Sequence, residues 1–115
     1  ENVEPSLIIA KFMQDASARI CTRWVGEDQQ AELSARTLVT HDDWKSMDEA
    51  LVKANLQRLH LRFFTRHVGT DSEAVSDLYD LFLAASTAAP SGASASDGWL
   101  AVCLAMMTDP QMLIY

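Results

Sequence analysis

The chain has 115 residues, enough for one ordinary domain and too few for two. Hydrophobic residues make up 49% of it, with only four Gly and three Pro, which excludes wholesale disorder and leans the composition toward helix. A net charge of −7 argues against general affinity for nucleic acid, and the longest apolar runs, 7–10 and 100–107, are far too short to span a membrane.

The first residues, Glu1-Asn2-Val3-Glu4-Pro5, show no basic stretch of the kind that opens a signal peptide. A start at Glu rather than Met reads as a processed or domain-length chain, and so as one that has been exported. From residue 6 to 25 the apolar positions Ile8, Phe12, Ala16, Ile20 and Trp24 recur every four residues. That repeat predicts a helix of five turns with one apolar stripe, entered at Pro5 and stopped at Gly26. Residues 26–45 carry a weaker signal: a short helix over 29–38 bearing Leu33 and Leu38, then a polar turn at His41-Asp42-Asp43.

Ser46-Met47-Asp48-Glu49 has the capping-box pattern and opens a helix expected to run to about His67, with Leu51, Val52, Leu56, Leu59, Phe63 and Phe64 on its apolar side and Gly69 as its stop. Thr70-Asp71-Ser72-Glu73 repeats the pattern and opens a helix with Val75, Leu78, Tyr79, Phe82 and Leu83, ending near Ala88. Residues 89–98 have linker composition and predict an exposed, mobile loop. Ser96 or Asp97 then caps a very apolar helix over 99–107, broken by Asp109-Pro110 and placed by its all-round apolarity at the centre of the bundle. The fold class is therefore all-α, a single bundle of about four to five helices spanning residues 1–115.

Two features carry the chemistry. Cys21 and Cys103, on the first and last helices, are the only cysteines, and they form either one disulfide or two buried thiols. The stretch 50–70 contains no acid and holds Lys53, Arg58, Arg62 and Arg66 with His60 and His67, one basic helix in an acidic molecule. Arg58, Arg62 and Arg66 repeat every four residues, and His60 and His67, seven apart, would share a face two turns from each other. Metal sites on one helix use a spacing of three or four, so a ligand role for the two histidines is not expected. His41-Asp42-Asp43 reads as an ordinary acidic turn. No phosphate loop, no nucleophile with a neighbouring base and no haem-attachment motif is visible, and the methionines and tryptophans read as packing residues.

The C-terminal half adds a family pattern. Arg62-Phe63-Phe64-Thr65-Arg66, Thr70-Asp71-Ser72-Glu73-Ala74-Val75 and Leu78-Tyr79-Asp80-Leu81-Phe82 are followed, after the linker, by residues 99–107 and Asp109-Pro110-Gln111-Met112-Leu113. Over residues 56–115 this resembles the helical modules of large exported cytochrome-c-like proteins of planctomycetes and myxobacteria. The chain departs from them at His67-Val68-Gly69-Thr70, where those modules carry a basic run with Arg-Pro. The resemblance implies an exported module that works beside a larger, redox-active partner. Residues and resemblance together lead to a non-catalytic helical module of the periplasm or cell envelope, with no cofactor, no metal, no nucleic acid and no transmembrane segment. Its partner protein would dock on Arg58, Arg62, Arg66, His60 and His67. The alternative is a helical bundle that binds a small ligand or cofactor near His60, His67 or a methionine.

Overall fold

Pro5 opens α1 (Pro5–Gln30), a helix that passes straight through Gly26 and is longer than its apolar repeat suggested. A β-carbon at Gly26 would meet nothing within 4 Å, so the glycine there is an exposed interior position rather than a stop. The computed structural model describes residues 5–41, 43–88 and 94–109, with side chains from Ile8 onward, and all regular structure among them is helical. A short 3-10 turn (Leu33–Ala35) replaces the helix expected over 29–38, followed by α2 (Glu49–Phe64), α3 (Glu73–Thr87) and α4 (Ala95–Met107).

The two capping boxes sit two residues later than their sequence pattern. Asp48 caps α2 by accepting from the Leu51 N–H at 3.1 Å, while Ser46 Oγ accepts from Asp48 N–H; Ser72 caps α3 by accepting from the Val75 N–H at 3.3 Å. Short side chains two apart compete for the same role, and the one whose backbone is extended just before the first helical residue takes it. Nor does α2 continue to His67. Thr65 turns left-handed (φ 54°, ψ 37°), and its N–H and that of Arg66 satisfy the carbonyls of Leu61 and His60. At the other junction, residues 94–98, expected as linker, lie at the start of α4 and its cap; the rest of that expected loop, 89–93, lies outside the described residues.

α4 is the central element, packed on α1 and α3, while α2 packs on α3. Its Ala95, Gly98, Trp99, Val102, Cys103 and Met106 are all buried. Trp99 lies 4.8 Å from the Phe82 ring and 6.1 Å from His41, centroid to centroid. Gly98 makes the α3–α4 contact possible: a β-carbon there would stand 2.5 Å from the Phe82 ring, so any side chain would drive the helices apart. Cys21 and Cys103 form a disulfide, both fully buried, with their Cα atoms 5.7 Å apart. Of the two open possibilities for these cysteines, the bridge is the one realised.

The apolar stripe of α1 is only half used. Trp24 stacks on Phe63 of α2 at 6.0 Å, and Cys21 lies in the core, but Ile8, Ile9 and Phe12 are 59%, 57% and 65% exposed. A strict four-residue repeat rotates by about 40° per step, because a turn holds 3.6 residues. Between Trp24 and Ile8 the stripe has wound to nearly the opposite side of the helix, and among the described residues the bundle packs on the end near Cys21.

Candidate docking surface

The segment after α1 explains the basic helix. Leu38 and Val39 are buried, yet residues 36–40 form neither helix nor strand, so their backbone groups need partners from side chains. Asp28, 4% exposed, supplies three: the N–H groups of Thr37, Leu38 and Val39 donate to its carboxylate at 2.8, 2.6 and 3.0 Å. Asn55 of α2, fully buried, accepts from the Thr40 N–H and hydroxyl at 3.0 and 2.7 Å and donates to the Leu38 carbonyl at 2.8 Å. Arg36 donates to the carbonyls of Ala31 and His41. Two members of the arginine stripe finish the frame: Arg58 donates to Thr40 Oγ1 and Arg62 to the Thr37 carbonyl, each at 3.0 Å.

The five docking candidates do not form one face. Arg58 and His67 line a groove of about 430 Å³ with Gln57, Leu61, Val68 and Gly69. Gln57 fixes its far wall by donating to the Val68 carbonyl at 2.8 Å. Arg62 faces the loop beside Arg58, as the four-residue spacing requires. His60 and Arg66 open instead on a separate hollow of about 210 Å³ between α2, α3 and α4, lined also by Phe64, Asp77, Leu78, Met106 and Asp109. The shared histidine face fails because α2 ends at Phe64, three residues before His67. Lys53 stands apart from both cavities, held at 2.8 Å by Glu49 one turn back and lying 5.1 Å over the Tyr79 ring.

His60 is 5% exposed, and neither ring nitrogen makes a hydrogen bond of good geometry. Burial pushes its pKa below the usual 6.5, and the nearby Arg66 guanidinium pushes the same way; Asp109 and the Ala74 backbone oppose them. The fold therefore favours the neutral imidazole. The stability this contributes is complete above the unfolded-state pKa near 6.5 and is lost as pH falls through the lower folded value. The acid side of the unfolding profile is accordingly expected to flatten in His60→Gln. Urea midpoints measured below and above pH 6.5 check this, and equal acid losses in both proteins would remove His60 as the cause.

The sequence reading missed Asp28 and Asn55, and only Asn55 left a trace. With the first helix expected to stop at Gly26, nothing marked Asp28 as an acid near a helix C-terminus, which it becomes because α1 runs on to Gln30. Asn55 interrupts the otherwise apolar series Val52, Leu56, Leu59. Asp42 lies outside the described residues, while His41 is buried against Trp99 rather than presented on an open turn. Among the described residues no three His, Cys, Asp or Glu side chains gather as a metal would need, and no helix is long and apolar enough to cross a membrane. Comparison of the chain with protein-family models, with curated proteins and with solved structures returned no match.

Proposed function

We propose that this protein is a non-catalytic helical module of an oxidising, exported compartment, the periplasm or cell envelope, and that it docks an acidic segment of a larger partner protein. The groove between Arg58 and His67 carries the reading. It sets the Arg58 guanidinium and the His67 imidazole around an apolar floor, with Leu61 43% exposed beside Val68, in a molecule whose net charge is −7. Opposite charge steers an acidic chain to that side, and an exposed leucine gives a partner's apolar residue something to cover. The buried disulfide supports the compartment, since such bonds persist where thiols are not kept reduced. Arg58 keeps guanidinium donors beyond the one given to Thr40, so it can hold the loop and a partner carboxylate together.

The test is an NMR titration of the oxidised protein with a short peptide of alternating Glu and Leu. Shifts are expected to gather on Gln57, Arg58, Leu61, His67 and Gly69 and to fade with added salt. His67→Glu, at an exposed position, is expected to weaken binding about tenfold without moving the thermal midpoint. Shifts scattered over the surface, or unchanged binding by the variant, would reject the groove.

A second reading has its own observation: buried His60 faces the 210 Å³ hollow with Met106. That volume is below the range of about 300–1,000 Å³ usual for small-molecule sites, so it suits one small ligand rather than a cofactor. Native mass spectrometry of the purified protein separates the two, since a stoichiometric adduct lost in a His60→Leu variant favours the ligand.

A further inference from the structure

Residues 65–69 stand between the two cavities. Arg66 lines the hollow with His60, while His67, Val68 and Gly69 line the groove, so one short turn gives a wall to each. Its hold on the bundle is slight. Thr65 is left-handed, and Thr65, Arg66, His67 and Gly69 are exposed, with Val68 partly buried. The Thr65 N–H donates to the Leu61 carbonyl at 3.0 Å, the Arg66 N–H to the His60 carbonyl at 3.3 Å, and the Gln57 side chain to the Val68 carbonyl at 2.8 Å. A segment held mainly by exposed hydrogen bonds, with little buried apolar surface, opens more easily than the helices beside it. We infer that this turn is an acid-released strap: when the His60 ring takes a proton, residues 65–69 lift from the bundle, and the groove loses the wall they give it.

The direction of the movement follows from where the charges lie. Both ring nitrogens of His60 are shielded from solvent in the closed bundle, so a proton there makes a buried cation. Of the described residues lining the hollow, the turn contributes the cation Arg66, α3 contributes Asp77, and the end of α4 contributes Asp109. The neighbouring ring on α2, Phe64 at 5.5 Å, carries no charge. An imidazolium is therefore repelled by the turn and attracted by the walls opposite. Lifting the turn takes the guanidinium away and lets water reach the ring, while both carboxylates stay in place. Moving α3 or α4 instead would separate opposite charges and open the core around Val75, Val102 and Met106. Burial and Arg66 hold the closed imidazole below its usual pKa, against Asp109 and the Ala74 backbone. The lifted state carries no such penalty, so a fall in pH below about 6.5 shifts the population toward it. Once the turn lifts, Arg58 and Leu61 remain on α2 without Val68 and Gly69 beside them. Release of a partner rests on the docking proposed for the groove; the movement of the turn does not.

Amide protection in the oxidised protein, measured by NMR at about pH 7.5 and about pH 5 and corrected for intrinsic exchange, tests this. Thr65 and Arg66 are expected to lose protection about tenfold on acidification, while Val102 and Cys103 in the core of α4 keep theirs. His60→Gln cannot take the proton and is expected to hold the protection of the turn within about twofold. Arg66→Gln, at an exposed position, removes the repelling charge and should show a smaller loss than the native protein. In the same samples, a peptide of alternating Glu and Leu should leave the native protein on acidification and stay on His60→Gln. The peptide and His67 are common to both, so the difference belongs to His60. Turn protection that is indifferent to pH, that falls equally in His60→Gln, or that falls only together with Val102 and Cys103 overturns the inference. An undiminished loss in Arg66→Gln overturns it as well. A turn that opens in a protein binding no peptide at any pH rejects the docking and leaves the strap standing. A turn that opens while the peptide stays bound overturns the link between strap and groove.

Discussion

Replacing Cys21 and Cys103 together by alanine is expected to lower the unfolding free energy by about 4–5 kcal/mol. The bond joins residues 82 apart, and in the chain-entropy account a closed loop of that length removes this much freedom from the unfolded chain. Both sulfurs are fully buried where α1 meets α4, so the double variant also leaves a small void. A domain of this size holds only about 5–15 kcal/mol in total, so the loss takes a large share of it. Guanidinium unfolding of the oxidised protein and the double variant measures the difference. Because neither sulfur is accessible in the folded state, reduction should follow opening of the α1–α4 contact. A mild reductant without denaturant is therefore expected to act slowly, and its rate to rise as denaturant is added. Rapid reduction under native conditions, or a difference below about 1 kcal/mol, would show that the α1–α4 contact does not depend on the bridge.

Asp28→Ala is the second large effect, expected to cost roughly 3–5 kcal/mol. The carboxylate accepts from three successive backbone N–H groups of a segment whose Leu38 and Val39 are buried, and alanine leaves all three without an acceptor. Water can replace the carboxylate only if the segment lifts off the core, which exposes the two apolar side chains. Asp28→Asn keeps the shape and one acceptor oxygen but turns a donor toward the remaining N–H groups, so its loss should be intermediate. Urea midpoints rank the variants. Native-state amide exchange supplies the local signature, because Thr37, Leu38 and Val39 should lose protection before the helices do. Uniform loss of protection across the whole chain would mean that Asp28 supports the bundle generally rather than this segment.

Taken together, Asp28, Asn55, Arg58 and Arg62 recast the basic helix. Charge in the sequence predicted a surface, and two of its arginines are instead engaged with the backbone and hydroxyl oxygens of residues 37–40. Nothing in the local pattern of α2 could show this, because the acceptors lie 18 and 25 residues away in a stretch without periodicity. The groove proposed for docking was legible only in part. Arg58 and His67 were both marked by their charge type, but the neighbours that make the groove, Val68 and Gly69, reach it only because Thr65 turns the chain at the end of α2.

The sequence by itself determined the helical class, the order of four helices, the central place of α4 and the two cysteines on its first and last helices. These are local matters: apolar spacing near 3.6, few helix breakers, and short polar residues at helix starts act within a few residues of each other. Only the tertiary structure decided that the cysteines are joined, that Asp48 and Ser72 cap α2 and α3, that Ser94 rather than Ser96 or Asp97 stands at the N-cap of α4, and where α1 and α2 end. It also decided that Ile8 and Phe12 stay uncovered while Trp24, on the same four-residue repeat, is packed. A repeat records which side chains share a stripe along a helix. Whether a neighbour lies against that stripe depends on the length and direction of other elements, and here the bundle covers the Cys21 end of α1 and not the first turns.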